Sequence, residues 1–96
     1  MPAQTRLGDL DSGHDLCPGT ALNSASSNVF INGKGAGRIG DSYVPHSCPE
    51  HVPHVAHIAS GSATVFINGK KSARIGDAID CGGNVAQGSD NVFVGG

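Results

Sequence analysis

The stretch DSYVPHSCPEHVPHVAH, residues 41–57, holds His46, His51, His54 and His57, four of the five histidines of a 96-residue chain, together with Cys48. Imidazole and thiolate bind borderline-soft transition metals, so the first chemistry to weigh is coordination. The other candidates are His14, Cys17 and Cys81, and three of the set fall into register. Asp9 is followed five residues on by His14, Asp41 five residues on by His46, and Asp77 four residues on by Cys81. His51, five residues beyond His46, completes a set of four: His14, His46, His51 and Cys81. Three imidazoles and one thiolate suit a single Zn²⁺, and four protein ligands leave no position for a reactive water, which makes such a site structural. Cys48 stands as an alternative to one histidine or as a disulfide partner of Cys17, and His54 lies in the same loop. His54 and His57 are otherwise read as surface or loop-packing residues, and Cys17, beside Pro18-Gly19, as a turn residue.

The register of these ligands comes from an internal repeat. VFINGKGAGRIGD (29–41) and VFINGKKSARIGD (65–77) agree at ten of 13 positions with an offset of 36. NVFVGG (91–96) begins the unit again, and RLGD (6–9) supplies the half that this tail lacks. The chain therefore reads as three copies of R-x-G-D, a variable loop and V-F-[IV]-x-G, closing around a pseudo-threefold axis. Val, Phe and Ile form a short β-prone run, and Asn32-Gly33 and Asn68-Gly69 are strong hairpin signals. Asp9, Asp41 and Asp77 are expected to cap turns, and Arg6, Arg38 and Arg74 to clamp neighbouring copies. Segments 17–28 and 82–91 read as loops, and 49–60 as room for one or two helical turns that Pro53 cuts short. The fold class is all-β, small and loop-rich.

Composition narrows the function. Three Phe, one Tyr and no Trp leave little material for a core, and chains this short often need a metal, disulfides or a partner. Three cysteines cannot all pair internally. A formal net charge of -2 with six scattered Lys/Arg gives nucleic acid no basic footprint. No apolar run approaches a membrane span, and MPAQTRLGD lacks the regions of a cleaved signal peptide, so the expectation is synthesis in the cytoplasm. No G-x-S-x-G, H-E-x-x-H, Walker or dinucleotide pattern occurs, and Glu50, between Cys48 and His51, becomes a base only if a metal ligand is missing. The chain is expected not to be an enzyme.

The R-x-G-D segments, Gly13-His14, the two VFING strands and the terminal GSDNVFVGG together resemble the PAAR-repeat family, over essentially the whole chain. These proteins cap the spike of type VI secretion systems and contractile phage tails. The eponymous tetrapeptide is degraded here to KGAGR (34–38) and KKSAR (70–74). The resemblance implies a cone of three pseudo-threefold β-hairpin repeats, with zinc near its vertex held by His14, His46, His51 and Cys81. It implies a partner too: a trimeric β-helical spike protein, capped by one copy and driven outward through a target envelope with transient membrane contact. The hairpin residues Val29, Phe30, Ile31, Val65, Phe66, Ile67, Val92, Phe93 and Val94 are expected at that interface, and the isolated protein is expected to be a monomer. With cone motifs running from Arg6 to Gly96, residues 1–96 are expected to be a bare tip without an effector extension. A zinc-stabilised binding module unrelated to a spike is the alternative.

Overall fold

A computed structural model describes residues 1–13, 18–48 and 51–96, the segments 46–48 and 51–54 by their backbone alone. Three antiparallel two-stranded pairs carry its regular structure: β1 (Phe30–Ile31) with β2 (Lys34–Gly35), β3 (His46–Cys48) with β4 (His51–His54), and β5 (Phe66–Ile67) with β6 (Lys70–Lys71). The all-β expectation holds. The helical turn expected within 49–60 does not: His51–His54 is strand, because Pro53 lacks the N–H a helix needs and β-branched Val52 suits an extended backbone.

The Asn-Gly signals perform as read. Asn32 and Gly33 have φ of 54° and 79°, and Asn68 and Gly69 have 54° and 77°, so both central residues of each hairpin turn are left-handed. The turns set Phe30 opposite Gly35 and Phe66 opposite Lys71. The unfinished tail unit is completed by the chain's beginning. Phe93 bridges Ala3, Val94 N–H donates to the Pro2 carbonyl at 2.8 Å, and Gln4 N–H donates to the Val92 carbonyl at 3.0 Å.

Each R-x-G-D segment folds into the same tight turn. In Arg38–Asp41, Asp41 Oδ2 accepts from the Arg38 backbone N–H at 2.8 Å and from its Nε at 2.9 Å, while Oδ1 accepts from Nη2 at 2.9 Å. Arg6–Asp9 and Arg74–Asp77 repeat this pattern. Gly8, Gly40 and Gly76 stand at φ of 92°, 88° and 94°, which explains the invariant glycine of the turn. Their N–H groups donate to Leu22, Ile58 and Val85, whose own N–H groups donate back to the carbonyls of Asp9, Asp41 and Asp77.

The turns are joined by a closed circuit of backbone hydrogen bonds. Thr5 N–H donates to the Ala73 carbonyl at 3.1 Å, Ala73 N–H to Gly37 at 3.1 Å, and Gly37 N–H to Thr5 at 3.0 Å. The buried Gln4 amide braces this ring, donating to the Thr5 and Gly37 carbonyls and accepting from Ser72 Oγ. On one side of the ring, the loops fold over an apolar cluster of Leu22, Tyr43, Ala56, Ile58, Ala73, Ile79 and Val85. Leu22 and Val85 belong to segments read from sequence as loops; each pairs across to an R-x-G-D turn instead. The hairpin phenylalanines are a different population: Phe30, Phe66 and Phe93 are 60%, 55% and 50% exposed, whereas Ile67, expected with them at an interface, is buried.

Serine anchors the hairpins, a feature the sequence reading passed over. Buried Ser26, Ser62 and Ser89 each accept two following backbone N–H groups, ending at Val29, Val65 and Val92. The molecule measures 37 × 24 × 22 Å.

Two substitutions test this framework. Asp41→Ala leaves the largely buried Arg38 guanidinium without its carboxylate, and unfolding in denaturant should lose about 3 kcal/mol. Gly37→Ala puts a methyl 2.6 Å from Thr5 Cγ2 and 2.9 Å from Leu22 Cδ2, beside the ring, and should cost roughly 1–3 kcal/mol. Lys34→Ala, on an exposed hairpin, should leave stability within about 0.5 kcal/mol of the parent.

Candidate metal centre

The three variable loops leave the framework tied to one another at their stems. Ser12 N–H donates to the Asn84 carbonyl at 2.9 Å, and Asn84 N–H returns to Ser12 Oγ at 2.9 Å. Val44 N–H donates to the Ala21 carbonyl at 2.8 Å, and Thr20 Oγ1 to the Val44 carbonyl at 2.7 Å. Asp80 N–H donates to the His57 carbonyl at 3.0 Å, and His57 N–H returns to Asp80 Oδ1 at 3.0 Å. First loop to third, first to second, second to third: every pair is stitched. The described stems of the three loops are thus tied to one another in every pair.

Cys81 is a free thiol, half-buried and packed against the apolar cluster. His14 lies outside the described residues, as do the side chains of His46 and His51. The backbone register of β3 and β4 sets His46 opposite His54, and Cys48 opposite His51, with an irregularity between His46 and Cys48. His46 and His51 are therefore not cross-strand partners. Among the described residues no group of three or more His, Cys, Asp or Glu side chains gathers at one point.

His57 does what the sequence reading expected of a surface residue. Its Nδ1 lies 3.2 Å from Asp80 Oδ2, with both side chains about half exposed. Cys17 also lies outside the described residues.

Tyr43, in the apolar cluster, is fully buried, its hydroxyl without a hydrogen-bond partner among the described residues. Burial raises its phenol pKa well above the ordinary value, and the negative charge of Asp11, Asp9 and Asp41 and the Cys81 thiol push the same way. Of the expected ligands only the Cys81 side chain is described, a part-buried thiol, and the described residues by themselves do not make up a zinc site.

The family model for the PAAR motif matches residues 12–87, about four fifths of the sequence. The chain belongs to the PAAR-motif family. PAAR-motif proteins are structural rather than catalytic, generally bind zinc, and associate with a spike protein. No curated protein matches the chain. The matched span takes in all three variable loops, and with them the whole stitched end of this PAAR protein.

Tyr43 gives a pH-dependent signature. Its folded pKa is raised, so the neutral phenol's contribution is fully present below the unfolded value near 10 and is lost as pH rises beyond it. In an alkaline titration followed at the phenolate absorbance, ionisation should coincide with unfolding. A phenolate appearing near pH 10 in still-folded protein would contradict the buried placement.

Proposed function

We propose that this PAAR-motif protein is the structural tip of a trimeric β-helical spike, a pseudo-threefold cone capping the spike's end and sharpening it for piercing a target envelope. The observation that carries the reading is the closed circuit through Thr5, Gly37 and Ala73. One chain thereby presents three equivalent units about a common ring, which is what a monomer needs to match a trimer's symmetry. One exposed phenylalanine per unit, Phe30, Phe66 and Phe93, supports apolar docking at equivalent positions about that ring. Val29, Ile31, Val65, Ile67, Val92 and Val94 flank them and complete the proposed interface, which would cover strand ends on the trimer. Two nearly equal short dimensions and one longer one, 37 × 24 × 22 Å, suit an axial tip. The protein is proposed to be made in the cytoplasm and carried outward on the spike, of a secretion system or a phage tail alike.

At the opposite end, one Zn²⁺ is assigned to His14, His46, His51 and Cys81. A vertex has almost no interior, so the metal replaces the core that cannot form there. The β3–β4 register keeps His54 and Cys48 as alternatives to His51.

Two experiments test the two ends separately. Protein purified without added metal should contain close to one equivalent of zinc by elemental analysis, and Cys81→Ser should weaken its retention; a folded, metal-free protein would sink the zinc assignment. Comparing His51→Ala, His54→Ala and Cys48→Ala then identifies the fourth ligand as the variant that loses zinc. For the cap, mixing with the trimeric spike encoded in the same genome and measuring the mass of the complex should give one copy per trimer. Three copies per trimer contradicts the one-copy cap, and a partner without threefold symmetry favours the unrelated binding module instead. Deleting residues 91–96 should abolish the complex, since it removes the strand that Ala3 bridges and exposes its neighbours.

A further inference from the structure

Each hairpin phenylalanine stands midway between two belt positions: Phe30 between Asn28 and Asn32, Phe66 between Thr64 and Asn68, and Phe93 between Asn91 and Gly95. Around these positions the hairpins are joined to one another. Asn32 Nδ2 donates to Asn91 Oδ1 at 2.9 Å, while Asn32 Oδ1 accepts from Arg6 Nη1 at 3.1 Å and from Ser89 Oγ. Asn68 Nδ2 donates to Asn28 Oδ1 at 2.8 Å, while Asn68 Oδ1 accepts from Arg38 Nη1 at 3.1 Å. At the third place Gly95 has no side chain, and its carbonyl accepts instead, from Arg74 Nη1 at 3.0 Å and from Ser62 Oγ at 2.7 Å. The Ala63 N–H adds a bond to the Gly96 carbonyl at 3.1 Å. The first hairpin thus holds to the third, the second to the first, and the third to the second. The contacts close into a belt.

Packing does not fix the phenylalanines, which are half or more exposed and lie outside the apolar cluster. Two-stranded hairpins this short are not stable by themselves. The belt's hydrogen bonds are exposed and compete with water, so they add little net stability, but they have direction. Each asparagine grips the arginine that opens its own unit and a residue of a neighbouring hairpin, so R-x-G-D turn and hairpins share one frame. The left-handed φ of 54° at Asn32 and Asn68 would suit glycine equally well, so the turn alone does not call for an amide. We infer that Asn32 and Asn68 are positioning residues of the docking face, fixing the three phenylalanines relative to one another before the spike is met, a role that rests on the capping function proposed above.

The test uses the full-length chain and the trimeric spike encoded in the same genome. Asn32→Gly combined with Asn68→Gly keeps the left-handed backbone and removes the belt's side chains. Amide hydrogen exchange should then quicken at Ala36 and Ser72, which close the first two hairpins on the Val29 and Val65 carbonyls, and stay parental at Thr5, Gly37 and Ala73 in the ring. Affinity for the spike should fall about 10–100-fold, because the hairpins must now be ordered on binding. Asn32→Asp with Asn68→Asp retains the acceptors for Arg6 and Arg38, and the Asn91 and Asn28 amides can turn to donate, so exchange should return close to the parental rate. Asn28→Ala with Asn91→Ala removes the belt's receiving oxygens; it should act in the same direction as the glycine pair and replaces it if that pair does not fold. A glycine pair that folds and binds the spike as tightly as the parent overturns the positioning role. So does exchange that quickens equally in hairpins and ring, or an aspartate pair that exchanges as fast as the glycine pair. A parent that does not bind the spike overturns the capping function itself, and the exchange rates still report separately on the belt.

Discussion

Three backbone hydrogen bonds, Thr5 to Ala73, Ala73 to Gly37 and Gly37 to Thr5, close the chain on itself. Each N–H is buried and each has its acceptor in a different unit, so no unit can satisfy its own backbone at this point. The constraint propagates outward. Residues this close to the ring must be small or fully hydrogen-bonded, which is why Gly37 and Ala73 stand there, and why Gln4 is acceptable: its amide is used on both its nitrogen and its oxygen. The R-x-G-D turns follow within a few residues and convert the ring into three outgoing loops, each Asp holding the Arg that begins its own turn.

The interior changes character along the molecule. At the hairpin end it is polar, with Ser26, Ser62 and Ser89 capping turns that leave Phe30, Phe66 and Phe93 exposed. In the middle, seven residues form the apolar cluster, and only Leu22, Tyr43, Ile58, Ile79 and Val85 among them are larger than alanine. Beyond the cluster come the loop stems and Cys81. An apolar cluster of this size among the described residues stabilises the fold only modestly. Under the proposed function, a partner covers the exposed phenylalanines and a metal binds the loops, so the two least self-sufficient regions are the two that have work to do.

The Arg–Asp pairs illustrate why stability and specificity should be separated here. Hydrogen bonding to Asp9 and Asp41 raises the pKa of Arg6 and Arg38 against the opposing effect of burial, so the charges are held, not neutralised. Their carboxylates also accept a backbone N–H each, making every pair part of a turn rather than an isolated ion pair. Each guanidinium then reaches further: Arg6 to Asn32, Arg38 to Asn68, and Arg74 to the Val94 and Gly95 carbonyls. The third unit has no hairpin turn at that place, and main-chain carbonyls substitute for the asparagine. The same residue type serves all three units because a guanidinium has donors to spare.

The repeat itself was legible from residues alone, because R-x-G-D and V-F-I-N-G each impose a local backbone conformation: a left-handed glycine before a capping aspartate, and an Asn-Gly hairpin. The wrap-around completion of the tail by Pro2–Gln4 was legible too, since the missing half of one unit stood at the other end of the chain. The all-β class and the absence of catalytic motifs needed no coordinates. Tertiary structure alone decided which apolar residues form the core. V-F-I-N-G is the more hydrophobic pattern, yet its phenylalanines face outward while Leu22 and Val85, in polar stretches, are buried, because burial depends on what a strand meets across the ring and not on its own composition. Asp11 was equally invisible: a single aspartate in a variable loop has no periodicity, and only the return of the chain at Thr20 gives its carboxylate two donors. The β3–β4 register, with His54 opposite His46, likewise belongs to the fold, since an irregularity shifts the pairing between His46 and Cys48 in a way that residue spacing cannot encode.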